Sequence, residues 1–484
     1  MKAKTNFVFL LPDQMRADFL SCYGANFLET PNIDRIGRQG VRYERAYCPS
    51  PLCVPARVSL LTGMNAIKNG VLDNSQFLRP DYRQCGIEVW PEILQENGYS
   101  TCAVGKMHFY PWDIAMGFER RVIAEDKRWP GIRDDYAAFL ARGGLRKLHG
   151  KEHHGYFENK GAIASRIPWE YSVDHFVGEQ ACSFLRDYRA EKPFALMVGF
   201  PGPHCPYDPC PEFLDGLNQE DMPESIPEAE GDMAGLRRTN IATNLRPWNG
   251  VDYSEFSEDQ KKKIRLHYAA LIKQIDMEVG QILDTLEERG LADETAVIFS
   301  SDHGDYLGDH NLIGKGSFYE SSIRVPLLLR LPGGGKPATC SNLVSLGDIT
   351  STILHLAGCR VPSRMDSLPL PGIGIGRSDR PRESIVGMLS DGWMVTDGKW
   401  KLARYVTGES HLFNVIEDPS EQDNLFRSGY DPEIVRGLDG ILYREIMPSI
   451  RVSHQDKTAF VAPPTEDKAF GEGGWVREYP FRTT

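Results

Sequence analysis

At 484 residues the chain exceeds one ordinary domain of roughly 100 to 200 residues, so one large unit plus a smaller one is expected. A hydrophobic fraction of 41% and a charged fraction of 25% are those of a folded globular protein and argue against a disordered chain. The formal net charge of -12 argues against nonspecific attraction to nucleic acid or anionic membrane, so any anion must be bound by local positive charge.

The first apolar run, Phe7 to Leu11, is too short for a signal peptide core and runs into Pro12 and Asp13 rather than a small-residue cleavage site. No apolar stretch approaches ~20 residues, so no membrane span is expected and the chain is assigned to the cytoplasm. Its ten cysteines form no CxxC pair and no zinc spacing, which predicts reduced, buried thiols.

Phe7 to Leu11, Thr101 to Val104, Phe194 to Val198 and Ala296 to Phe299 are continuously apolar, as buried parallel strands are. Before the last of them, Ser257 and Gln260 form a capping box. Ile264, Tyr268, Leu271, Ile275, Ile282 and Leu286 follow at helical spacing, and Gly290 stands as the stop. The alternation predicts an α/β fold: a large, mostly parallel central sheet flanked by helices. Glu119 to Trp169 and Asp208 to Phe256 lack periodicity and read as long loops or lids, the kind of segment that sets specificity at a sheet mouth.

Beyond about Gly376 the pattern changes to short strands at Ile385 to Met388, Trp393 to Thr396 and Trp400 to Tyr405. Asp397-Gly398 is a hairpin signal, and a helix follows from about Pro432 to Ile446. The glycine- and proline-rich loop Pro369 to Arg382 therefore divides a catalytic unit, 1–375, from a smaller antiparallel sheet with a helix and tail, 376–484.

Each apolar strand is closely followed by residues capable of chemistry: Asp13 and Gln14, then Lys106 and His108, then His204, then Asp302 and His303. Ligands bind beyond the carboxyl ends of strands in open α/β sheets, so the four clusters are expected to meet in one site suited to a metal and an anion. Taken singly, each has a blander reading: Asp13 as a turn residue, His204 as part of a rigid proline loop, Lys106 as a solvated lysine.

Cys53-Val54-Pro55-Ala56-Arg57, followed by Ser59-Leu60-Leu61-Thr62-Gly63, closely resembles the CxPxR signature of the sulfatase family, within the alkaline phosphatase superfamily. Leu11-Pro12-Asp13-Gln14-Met15, Gly105-Lys106-Met107-His108, Pro203-His204, Ser301-Asp302-His303-Gly304, Gly308-Asp309-His310, Lys315, Tyr319-Glu320 and Arg324-Val325-Pro326 resemble its other motifs in family order. The likeness extends through Gly347-Asp348 and Leu356-Ala357-Gly358 to Leu412-Phe413-Asn414, Asp418-Pro419 and Asn424-Leu425, and fades after about Ile450. The opening and the run Tyr47 to Cys53 look most like the choline-sulfatase branch, whereas the C-terminal tail does not.

The resemblance implies hydrolysis of a sulfate monoester of a sugar, aryl or choline-type alcohol. It implies that a maturation enzyme oxidises Cys53 to formylglycine, whose hydrated aldehyde attacks sulfur with one hydroxyl and expels sulfate through the other. By the same resemblance, Asp13, Gln14, Asp302 and His303, with Cys53, hold a divalent metal. Arg57 braces the formylglycine, Lys106 binds sulfate oxygens, His108 is a base, and His204 and Lys315 hold the ester and serve the leaving oxygen. Gln14 stands where a second Asp is usual and His303 where Asn is frequent. Calcium is favoured, with manganese and magnesium open.

Other candidates read as structural: Cys48, Cys205 and Cys210 as packing, His153-His154 as a solvated loop, Asp73 and Asn74 equally as turn or substrate contact. A phosphonate monoester or phosphodiester hydrolase is the nearest rival function, and such enzymes typically lack the pair seen here as Lys106 and His108. An inactive binding protein with Cys53 left as a thiol is a rival of another class. The unmatched tail could pack on a second copy in a homo-oligomer.

Overall fold

A computed structural model of the chain describes residues 4–189, 192–229, 234–373 and 382–454. The division expected at 375/376 and the tail beyond 454 lie outside the described residues.

Eight strands form the main sheet: β1 (Asn6–Leu10), β2 (Val41–Tyr47), β3 (Ser100–Gly105), β4 (Arg120–Ile123), β5 (Phe194–Gly199), β6 (Thr295–Ser300), β7 (Leu327–Arg330) and β8 (Ala338–Ser345). Their order is β4-β3-β5-β1-β6-β7-β2-β8, and β7 alone runs antiparallel to its neighbours. The four strands read from apolar runs, β1, β3, β5 and β6, are adjacent at the centre, with helices burying both faces. The strands that carried no such signal lie toward the edges. Val-Arg-Tyr-Glu-Arg-Ala-Tyr in β2 alternates, Arg-Arg-Val-Ile in β4 is an edge strand, and the first half of β8 is largely exposed.

The predicted capping box is in place. Ser257 Oγ accepts from Gln260 N, Gln260 Oε1 accepts from Ser257 N, and the helix Glu258–Glu288 ends with Gly290 at φ +65. Its apolar stripe packs against the helix Val173–Asp187 in the larger core. The two segments expected as loops do cover the carboxyl ends of the strands, but each carries short structure: β4 and the helix Asp135–Arg142 in one, the helix Ala234–Asn244 in the other. No helix among the described residues is long and apolar enough to cross a membrane.

The second sheet is fully antiparallel, β12-β11-β10-β9, built from β9 (Ile385–Leu389), β10 (Gly392–Thr396), β11 (Trp400–Tyr405) and β12 (Ser410–Asn414). Gly398 takes φ +87 in the hairpin, and Asp397 Oδ1 caps it by accepting from Lys399 N and Trp400 N. One face packs on the helix Pro432–His454 through Val395, Leu402, Leu412, Val435, Leu438 and Leu442. The other meets the main unit, where Tyr47, Ile323 and Leu343 share a core with Ile385, Leu389 and Met394.

Gly105, at the end of β3, has φ +90, and a Cβ there would sit 2.1 Å from the Gly199 carbonyl oxygen. That oxygen accepts from Lys106 N at 2.7 Å, so the close approach sets where Lys106 leaves the sheet. Gly105→Ala should cost about 2 to 4 kcal/mol from the left-handed backbone and the overpacked strand end. Urea unfolding checks this through a lowered midpoint at unchanged slope.

Candidate active site

Asp13 continues β1 beyond its last paired residue: its N–H lies 3.0 Å from the carbonyl oxygens of both Phe200 and Gly202, and an isolated bridge joins it to Pro203. Asp302 and His303 follow β6 directly, Lys106 follows β3, and His204 follows β5. Cys53 begins the helix Cys53–Thr62, every residue of which is buried. A thiol at a helix N-terminus lies in a field that favours its anion. Asn74 completes that terminus, its Oδ1 accepting from Val54 N at 3.0 Å.

Arg57 is the hub. Nε donates to Asp302 Oδ2 at 2.8 Å, Nη2 to Asp13 Oδ2 at 3.1 Å and Nη1 to the Lys106 carbonyl at 2.6 Å. Lys106 Nζ lies 2.7 Å from the same Asp13 oxygen. Burial and the Cys53 thiolate both oppose ionisation of Asp13, yet Lys106, His204 and Arg57 hold its carboxyl far below the usual range. Burial likewise opposes ionisation of Cys53, but Lys315, Lys106 and His303 hold the thiol well below its ordinary value. Both groups are thus shifted toward their charged forms.

Asp13, Cys53, Asp302 and His303 each offer one ligand atom, all within 4.8 Å of one another and all buried. Sγ lies 3.2 Å from His303 Nε2 and 3.8 Å from Asp13 Oδ1, and Nε2 is 3.7 Å from Asp302 Oδ1. His303 Nδ1 is 2.9 Å from the Gly304 carbonyl, which fixes it as the protonated nitrogen and turns the Nε2 lone pair inward, as a metal-binding imidazole requires. Two carboxylates and an oriented imidazole therefore fit a divalent cation. Gln14 stands at φ +71 with its side chain between two charged groups, Nε2 donating to Asp305 and Oε1 accepting from Lys315.

His108 and His204 also stand on the cavity wall with Cys53. His108, at φ +61, is held by Glu125, whose Oε2 accepts from His108 N at 2.7 Å while its other oxygen accepts from Arg121 at 2.9 Å. Burial first, then Lys315 and Lys106, push His204 down to about 3. His204 is therefore neutral, with Nδ1 donating to the Cys205 carbonyl at 2.7 Å and Nε2 left for a ligand.

Gln14, Cys53, Lys106, His108, Glu125, His204 and Lys315 line a cavity of about 840 Å³ whose wall also includes Trp112 and, from the two long segments, Trp129 and Trp248. Arg128 lies 5.5 Å over the Trp248 ring and pairs with Asp126. Every residue picked from strand ends and from CxPxR is present on this floor or directly behind it. Asp73 and Asn74 make turn and cap contacts and also line the cavity. Cys205 lines the wall, Cys48 and Cys210 are packed, and all ten cysteines are free. His153 is buried rather than solvated, facing the His149 carbonyl, and His154 is exposed; neither joins the site. Glu125 carried no local signal, because nothing in its neighbouring residues announces the cavity.

A sequence profile described as Sulfatase matches residues 5–359, and one described as N-sulphoglucosamine sulphohydrolase, C-terminal, matches 308–446. An arylsulfatase of Clostridium perfringens is 30% identical over 469 residues, spanning 92% of this chain and 94% of its own. A choline-sulfatase of Rhizobium meliloti is 29% identical over 498 residues, spanning 96% and 90%. The phosphonate monoester hydrolase of Agrobacterium radiobacter shares the fold with a TM-score of 0.77 at 22% identity, covering 93% of this chain and 96% of that one.

Removing the hub leaves two buried carboxylates without their shared cation. Arg57→Ala should therefore destabilise the fold by about 3 to 5 kcal/mol. Chemical denaturation at neutral pH measures it, and a loss under about 1 kcal/mol would mean that the carboxylates are neutralised some other way.

Proposed function

The chain belongs to the sulfatase family and is a sulfuric ester hydrolase; from that premise we propose that formylglycine at Cys53 is the nucleophile, working on the sulfate monoester of a small sugar, aryl or choline-type alcohol. The observation that carries this reading is the meeting of Cys53 with Lys106, Lys315, His108, His204 and His303 at the closed end of one cavity. As formylglycine, residue 53 supplies a hydrated aldehyde with one hydroxyl to attack sulfur and a second whose deprotonation expels sulfate.

Asp13, Asp302, His303 and Gln14, with residue 53, are the groups we assign to a divalent cation, which supplies Lewis acidity toward the sulfuryl oxygens and the nucleophile. Once residue 53 presents oxygen rather than sulfur, carboxylate and amide oxygens dominate the set, which favours calcium. The imidazole of His303 keeps manganese and magnesium as the competitors.

Lys106 and Lys315 neutralise the anionic ester as it enters. His108 stands beside residue 53 as the base that removes the second hydroxyl proton, and Glu125 fixes its backbone. His204 is neutral in the free protein because it is buried and because two lysines face it. A bound sulfate supplies the negative charge that lets its Nε2 carry a proton to the leaving oxygen. The tryptophan-lined wall receives the alcohol. A formylglycine-generating enzyme is the required maturation partner, and ten free thiols support a reducing, cytoplasmic setting.

The fold shared with a phosphonate monoester hydrolase and the Asp13-Gln14 opening favour phosphonate as the second reading. Lys106 and His108 support sulfate. With one aryl sulfate and one aryl phosphonate, kcat/KM should favour the sulfate by at least about tenfold; dominant phosphonate turnover would reverse the assignment. Chelation with EDTA should abolish turnover and lower the thermal midpoint, and adding back calcium, manganese and magnesium separately identifies the ion that restores both.

A further inference from the structure

Asp305, two residues beyond His303, is buried and makes four contacts that divide cleanly between its oxygens. Oδ1 accepts from the backbone N–H groups of Leu307 at 3.0 Å and Gly314 at 2.8 Å, closing the loop that delivers Lys315. Oδ2 accepts from Tyr207 Oη at 2.8 Å and from Gln14 Nε2.

An amide can turn over with little change of shape, so its orientation is decided by its neighbours. Here the Lys315 ammonium can only donate, and both Asp305 oxygens already accept from neighbouring donors. The Gln14 amide between Asp305 and Lys315 therefore has one orientation that satisfies both, with Nε2 toward Asp305 and Oε1 toward Lys315. Its backbone is pinned as well, N donating to Asp302 Oδ1 at 2.9 Å and O accepting from Tyr268 Oη at 2.6 Å.

We infer that Asp305 is a positioning residue that fixes the Gln14 amide with its oxygen facing the cation site. It also explains the glutamine: a carboxylate at position 14 would face the Asp305 carboxylate with no proton between them. The inference rests on the reading above that Gln14 belongs to the cation-binding set.

Asp305→Asn tests this selectively. Its Oδ1 can keep both backbone amides while Nδ2 replaces Oδ2, so the loop is retained and only the polarity presented to Gln14 is inverted. The amide of Gln14 must then turn, aiming its NH₂ at Lys315 and the cation. Gln14→Glu in the same protein restores the bond with donor and acceptor exchanged and conserves the net charge of the pair. Because Tyr207 shares Oδ2, the cycle is built in a Tyr207→Phe background, with the background protein, each single change and the double change compared.

Two readouts are taken: Mn²⁺ affinity of the metal-stripped protein by calorimetry, and the urea midpoint in EDTA. Each single change should weaken Mn²⁺ binding at least about tenfold and lower the midpoint, and the double change should return the affinity to within about threefold of the background. A single variant that does not fold while the double folds is the same rescue. Effects of the two changes that simply multiply in both readouts, or a single Asp305→Asn change that leaves both the midpoint and the Mn²⁺ affinity intact, would overturn the inference. If the midpoints show rescue while Mn²⁺ affinity is indifferent to all four, the pair is real and it is the cation assignment of Gln14 that fails.

Discussion

Two carboxylates, Asp13 and Asp302, are buried side by side, and the guanidinium of Arg57 is what permits it. Burial first and then the charge of Asp13 raise the Asp302 carboxyl, and a cation that reaches both oxygens offsets this. Arg57 meets that need with one planar fork, and its third contact, to the Lys106 carbonyl, ties in the end of β3. Three strand ends, β1, β6 and β3, are thus fastened to one helical side chain. Cys53 and Arg57 are four residues apart in that helix and share a face, so fixing the guanidinium fixes the thiol. Pro55 falls in the first turn, where the helix needs no N–H from it.

The charge arrangement continues outward from this centre. Lys106 and Lys315 place positive charge locally at the cavity floor of a protein whose net charge is -12, which gives an anion one place to bind. Gln14, flanked by Asp305 and Lys315, keeps a neutral oxygen donor where another carboxylate would have needed another cation. The apolar part comes from Trp112 and, in the long segments, Trp129 and Trp248, which share the cavity wall with the charged groups, so the anion and the remainder of a substrate meet different chemistry.

Much of this was legible in the sequence for a physical reason. Central parallel strands are buried on both faces and spell continuous apolar runs, so β1, β3, β5 and β6 announced themselves together with Asp13, Lys106, His204 and Asp302 at their ends. Edge strands carry no such mark, and antiparallel β7, though apolar and buried, is only four residues long. β2 alternates, β4 and the start of β8 are solvent-facing, and β12, the outer strand of the small sheet, was absent from the reading. Glu125 and Asp305 serve the site only through contacts made across the fold, Glu125 on the backbone of His108 and Asp305 on Gln14, 291 positions away. Asp305 lies beside the recognised Asp302-His303-Gly304 run, yet its role depends on which oxygen faces which partner, and that is a property of three-dimensional structure alone.

The central claim is that residue 53 acts as formylglycine in the setting that Arg57 creates. Mass spectrometry of the peptide containing Cys53, from protein produced with a competent maturation enzyme and shown to hydrolyse an aryl sulfate, tests it most directly. The account predicts a peptide lighter than the thiol form by about 18 Da, in a fraction that rises with specific activity. Full sulfatase activity in protein whose Cys53 remains entirely a thiol would contradict it.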